Sequence, residues 1–439
     1  MIRTLTRGSV HMVERYLPDP YIFALILTLV VFAAGMGIEQ QSPVQMVQYW
    51  GDGFWNLLTF GMQMVLVLVT GYVLASSPPF KRLLQAIAQL ASTPGQAIVL
   101  VTVVSMIAAW INWGFGLVIG ALFARQLAQV VSRVDYRLLF ASAYTGFLVW
   151  HGGLASSIGL VIATEGHFAE EQIGIIPTSE TIFSSFNLLI VLLILIIIPL
   201  VNRMMMPPDD EAVTVDPGKL AQEEAPAPMV NERPADRLEN SVILAQAVGL
   251  MGLGFLAYYF IAGQASLNLN IIIFLFLFLG IVLHGRPSSF LNTVREAVKG
   301  ASGIIIQFPF YAGIMAMMVD SGLAASLSSM FVAASNEVTF PLFTFLSAGI
   351  INMFVPSGGG QWAVQAPIML DAAEQIGVSV PRTAMAVAWG DAWTNMIQPF
   401  WALPALAIAG LNAKDIMGYC LVVLLVSGVI MGAGLMFLP

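Results

Sequence analysis

The chain has 439 residues, 58% of them hydrophobic and only 10% charged, with a formal net charge of −8. Soluble proteins carry about 25% charged residues, so the composition excludes that class and points to an integral membrane protein. Its one cysteine, Cys420, excludes an internal disulfide.

Residues 1–19 carry Arg3, Arg7 and Arg15 but no short apolar core with a small-residue cleavage site, so no signal peptide is expected. Spans are expected at about 21–38 and 57–76, since about 20 apolar residues cross a bilayer as a helix. Between them Ser42 to Asn56 reads as an interfacial helix, and Tyr16, Tyr21, Trp50 and Trp55 fall where an aromatic belt forms. The apolar stretch 95–131 is broken at Asn112-Trp113-Gly114-Phe115-Gly116, and spans at 138–163 and 181–202 follow it.

Residues 203–240 differ in kind. From Arg203 to Glu239 there are nine acidic and four basic residues, a net of −5, with six prolines and little apolar content. This is the composition of a flexible cytoplasmic linker. A connecting transmembrane helix at 241–267 comes next, then spans at 268–284, 301–319, 383–410 and 416–437, with an interfacial helix at 287–299. The stretch 338–375 is broken at Asn352-Met353-Phe354-Val355-Pro356-Ser357-Gly358-Gly359-Gly360.

Reading 95–131 and 338–375 as re-entrant hairpins puts sixteen of the seventeen Lys and Arg residues on one side, with Arg382 alone opposite. Basic residues mark the cytoplasmic side, so the N-terminus is expected there. Treating each hairpin arm as a separate span remains the alternative. The hairpin reading gives an all-α polytopic membrane protein with about nine spanning helices, in which 1–202 and 268–439 form an inverted-topology repeat.

Irregular backbone at membrane depth is tolerated only where it is buried in protein or lines a cavity. Matched breaks in two halves point to a transporter's substrate site. The return arms are expected to start at Leu117 and Gln361, aiming helix N-termini at a small anion such as a carboxylate. The expected substrate contacts are Asn112, Trp113, Gly114 and Gly116 from the first break, and Asn352, Ser357, Gly358, Gly359, Gly360 and Gln361 from the second. Close helix packing is the other reading of these glycines, and Gly116 and Gly120 have the small-xxx-small spacing.

His151 and Asp391 are 240 residues apart, as are Asn112 and Asn352, and each falls within the long span after a hairpin. An ionisable group in a span is a functional hypothesis by default, so both, with Thr394, are candidate handlers of a coupling ion, H⁺ or Na⁺. Pro399 and the glycines suggest that these spans unwind, and Ser156, Ser157, Asn395 and Gln398 can read oxygens there. The other readings are a hydrogen-bonded neutral histidine and a helix-capping carboxyl.

No H-E-x-x-H sequence suggests an intramembrane zinc protease, and no G-x-x-x-x-G-K-[ST] sequence suggests ATP as the driver. No enzyme, cofactor, bound metal or nucleic-acid partner is expected. The remaining rivals are a dicarboxylate carrier, which would need a second cationic contact, and a non-transporting membrane subunit.

Long strings then carry a resemblance: Leu17-Pro18-Asp19-Pro20, Trp50-Gly51-Asp52-Gly53-Phe54-Trp55-Asn56, Gln307-Phe308-Pro309-Phe310-Tyr311-Ala312-Gly313 and Gln398-Pro399-Phe400-Trp401-Ala402-Leu403-Pro404. With the two breaks, these make the chain similar to the short-chain fatty acid transporter family (AtoE type) over nearly its whole length. The resemblance implies a bacterial inner-membrane carrier of monocarboxylates such as acetoacetate or butyrate, in a wider group of ion-coupled inverted-repeat anion transporters. That group's hairpin-tip residues map onto Asn112 and Ser357, and homodimers are common in it. The Ser-Asn-Thr tips of its di- and tricarboxylate members are absent here.

Overall fold

The computed structural model describes residues 2–16, 18–167, 169–216, 233–262, 269–299 and 301–439. Leu17, the centre of the expected linker (217–232) and residues 263–268 at the join to the second half lie outside the described residues. All regular elements among those described are helical.

The first half contains α1 (Ile2–Tyr16), α2 (Pro20–Gly37), α3 (Pro43–Gly53), α4 (Leu58–Ala75), α5 (Pro78–Ala88), α6 (Pro94–Ile111), α7 (Trp113–Val130), α8 (Tyr136–Tyr144), α9 (Ser157–Val161), α10 (Glu170–Ile173) and α11 (Ser185–Met204). Next come α12 (Pro234–Glu239) and α13 (Val242–Ile261). The second half contains α14 (Leu269–His284), α15 (Pro287–Lys299), α16 (Ser302–Asp320), α17 (Leu323–Ala333), α18 (Phe340–Asn352), α19 (Gly358–Ile376), α20 (Val380–Thr394), α21 (Leu403–Ala409) and α22 (Ala413–Phe437).

Local chemistry sets many boundaries. Ser42 with Gln45, and Thr93 with Gln96, form capping boxes ahead of α3 and α6, each followed by a first-turn proline. Among the described residues, seven helices are long and apolar enough to cross a membrane, and a pair bent by 79° at Gly61–Leu74 and Pro78–Ala88 makes an eighth if counted as one span.

Each break turns the chain between two helices that pack on each other, α6 on α7 and α18 on α19. Gly116 packs on Ala109 and Gly120 on Ser105, so α6 and α7 run antiparallel. In the second, Gln361 Nε2 donates to the Ala348 carbonyl at 2.8 Å and Gln365 Nε2 to Ser347 Oγ at 3.2 Å. The first pair, 18 residues each, are both long and apolar enough to cross a membrane, as the alternative reading of separate spans requires.

The spans after the hairpins are broken, as Pro399 and the glycines suggest. The first becomes a 3₁₀ turn at Thr145–Val149 and an irregular stretch before α9. The second stops at Thr394 and resumes at Leu403. Helices α2 and α3 of the first half pack on α16 of the second, while α14 and α15 of the second pack on α4 of the first. Trp50 packs on Phe310 and Gly313 of α16.

The described ends of the expected linker are ordered. Glu211 pairs with Arg7 at 2.6 Å, and residues 234–239 form α12. Asp135 explains part of this. One of its oxygens caps α8 through the Leu138 amide, and the other accepts the Val213 amide, both at 2.8 Å. Burial raises its carboxyl above the usual range despite these amides and nearby Arg137. Asp135→Ala should lower stability by about 1–2 kcal/mol through the lost cap, read as the thermal midpoint in detergent, and Asp135→Asn should retain most of it.

Candidate functional site

The two ionisable groups meet. His151 Nε2 lies 3.1 Å from Asp391 Oδ1, and both side chains are 0% exposed. His151 sits in the irregular stretch of the first broken span, while Asp391 is still helical, four residues before the second break. The contact therefore joins the two halves of the chain, 240 residues apart in sequence. Asp391 Oδ2 is buried and has no hydrogen-bond partner among the described residues.

Several predicted residues gather around this pair. Ser156 Oγ caps α9 through the Gly159 amide at 3.1 Å and stands 3.5 Å from His151 Nδ1. Asn352 Nδ2 donates to the Asp391 carbonyl (2.9 Å), Thr394 Oγ1 (3.0 Å) and Asn395 Oδ1 (2.7 Å). Thr394 Oγ1 in turn donates to the Gly349 carbonyl at 2.8 Å. The hairpin end and the broken span are thus locked through one buried amide.

The second tip lies directly on the pair. A Cβ at Gly358 would stand 2.6 Å from His151 Nε2 and 3.2 Å from the Ser157 Cβ, while one at Gly359 would meet nothing within 4 Å. Ser357 Oγ caps α19 through the Gly360 amide at 3.4 Å. The return arm begins at Gly358 rather than Gln361, so the Gly358 and Gly359 amides lie in its first turn, where a helix lacks internal partners. Gln361 lies inside the hairpin, bonded to Ala348 and Gln365.

The first tip is arranged differently. Asn112 both ends α6 and caps α7 through the Phe115 amide at 3.1 Å, so α7 starts at Trp113, not Leu117. Gly114 and Gly116 are therefore helical, and Gly116 serves close packing on Ala109. Trp113 stacks edge-on against Trp150 and Trp401, with centroids 6.0 and 5.1 Å away, and so reaches both broken spans. Gln398 holds the second break by accepting from the Phe400 amide at 2.6 Å and donating to the Met353 carbonyl at 3.4 Å.

Asn187 was missed by the sequence reading. Its buried amide donates to the Gly152 carbonyl (3.0 Å) and the Ile182 carbonyl (2.6 Å) and accepts from Trp389 Nε1 (3.1 Å). It thus fixes the neighbour of His151 to the helix of Asp391. The available signal was a lone amide in the uncharged run Phe186 to Val201.

A family model described as "Short chain fatty acid transporter" matches residues 1–438. The chain belongs to this family. A relative from Escherichia coli named for short-chain fatty acid transport is 47% identical over 438 residues, 99% of each chain. One of the same name from Haemophilus influenzae is 43% identical over 451 residues, 100% of each chain. Among solved structures, the Alcanivorax borkumensis YdaH transporter is 16% identical with a TM-score of 0.45, covering 95% of this chain and 98% of its own. Neisseria gonorrhoeae MtrF is 15% identical with a TM-score of 0.41, covering 98% of this chain and 97% of its own. The protein is thus a polytopic member of a membrane transporter family.

Gly358→Ala tests the approach of the second tip. Forcing a methyl against the imidazole costs about 1–3 kcal/mol, so transport should fall sharply while membrane expression and monodispersity stay normal. The same change at Gly359, which faces open space, should be tolerated.

Proposed function

We propose that this protein carries short-chain monocarboxylates such as acetoacetate or butyrate across the bacterial inner membrane, by cation-coupled symport and alternating access. The observation that carries the coupling is the buried His151–Asp391 contact with its free carboxylate oxygen. A buried carboxylate is expensive unless a proton or cation neutralises it. An anionic substrate arriving beside it adds like charge. Taking up H⁺ or Na⁺ at Asp391, with His151 and Thr394 beside it, removes that repulsion and lets the anion bind.

The anion's natural contacts are the amides at Gly358 and Gly359, next to His151. Ser357 supports them as the cap of that helix, and Asn112 has the same role for α7. Ser156, Ser157, Asn395 and Gln398 shape the walls. Coupling also meets the membrane potential, which opposes entry of a lone anion into a negative interior by about 2.3 kcal/mol per 100 mV.

The inverted repeat supplies the movement in this reading. Its support is the reciprocal packing of α2 and α3 on α16 against α14 and α15 on α4, and the exchange of contacts expected of a two-fold relation. Since no solvent reaches His151 or Asp391 in this conformation, both must be uncovered in turn to each side. The side bearing Arg3, Arg137, Arg203 and Lys414 is taken as cytoplasmic.

Proteoliposomes holding only this protein should accumulate labelled butyrate or acetoacetate when an inward H⁺ or Na⁺ gradient is imposed. No accumulation by correctly inserted protein would end the monocarboxylate reading. Asp391→Asn keeps a side chain able to bond His151 but not the ionisable carboxylate. It should abolish gradient-driven accumulation, and an unchanged response to the gradient would return Asp391 to a structural role.

A further inference from the structure

The N-terminal helix builds a basic feature whose lining shares no residue with the buried pair. Arg3, Arg7 and His11 recur every four residues on α1 and so form one stripe. The stripe borders a cavity of about 280 Å³ whose far wall includes Arg137, at the start of α8, together with methionines and prolines that follow α11. Two acids line it as well, and both are paired: Glu211 with Arg7 at 2.6 Å and Glu14 with Arg137 at 2.8 Å. Arg3 has no ion pair or hydrogen bond among the described residues. The cavity is thus left with a surplus of positive charge.

The other flank of α1 says what faces it. Leu5, Met12 and Tyr16 are 44%, 47% and 71% exposed and lie along one line of the helix, away from the basic stripe. Thr6 and Ser9, between the flanks, are buried, and Val10 sits on Gly418 of α22. A helix with a protein-facing base, an apolar flank and a basic flank suits the bilayer interface. At that depth the abundant anion is a lipid phosphate, and basic pockets there recognise lipid headgroups.

We propose that this cavity binds the phosphate of an anionic phospholipid headgroup, with Arg3 as the free ligand and Arg7, His11 and Arg137 around it. Bound lipid would hold α1 onto the starts of α8 and α22.

The test is the thermal midpoint of the purified full chain in neutral detergent, titrated with phosphatidylglycerol, phosphatidylcholine or sodium phosphate. Phosphatidylglycerol should raise the midpoint saturably, and phosphatidylcholine should not. Arg3→Ala should weaken the phosphatidylglycerol response about fivefold, as expected for one interfacial charge, and Arg3→Lys should recover most of it. Arg295→Ala, on α15 and outside the cavity, should leave it unchanged. Equal responses to both lipids, an effect of Arg295→Ala as large as that of Arg3→Ala, or saturation by millimolar phosphate alone would overturn the headgroup assignment.

Discussion

A histidine and an aspartate, wholly buried and 3.1 Å apart, are the contact around which the rest of the molecule is arranged. Each is fully buried, and a buried ionisable group without a partner costs several kcal/mol. The pairing is long-range, 240 residues apart in sequence, so it forms only once both halves have folded and docked. Much of the surrounding order serves it. Asn187 ties the two segments together, Asn352 secures the second hairpin to the helix of Asp391, and Gly358 lets a helix N-terminus close over the imidazole.

The glycines mark the places where elements come closest together. Gly116, Gly120, Gly146 and Gly390 sit where a side chain would strike a neighbouring helix, and they let α6, α7, α8, α18 and α20 approach closely. Lipid gives little hydrophobic drive between helices, so such close contact and buried hydrogen bonds must supply cohesion. At Gly358 the neighbour is instead the imidazole of His151. Only the identity of the opposing atoms separates the two cases.

The breaks carry a related tension. Tyr144 donates to the Asn395 carbonyl at 2.7 Å, and the Trp110 carbonyl accepts the Leu154 amide at 2.7 Å. These bonds satisfy backbone groups that unwinding exposes. Irregular segments held this way depend on a few contacts with other elements rather than on their own helical hydrogen bonds.

Much was legible in the sequence because its signals are local. Apolar run length marked most of the long apolar helices, polar residues inside apolar runs marked both breaks, and Pro399 marked an unwound segment. The offset they share with Asn112 and Asn352 also drew attention to His151 and Asp391, which the structure brings into contact. Spacing could not reveal that Asn112 caps a helix one residue later, that Gly116 is a packing residue, or that the expected linker's start bonds to Asp135. A glycine or a carboxylate reads alike in sequence whatever lies opposite it. What lies opposite is settled only when helices distant in the chain are brought together, and that was the part left to the tertiary structure.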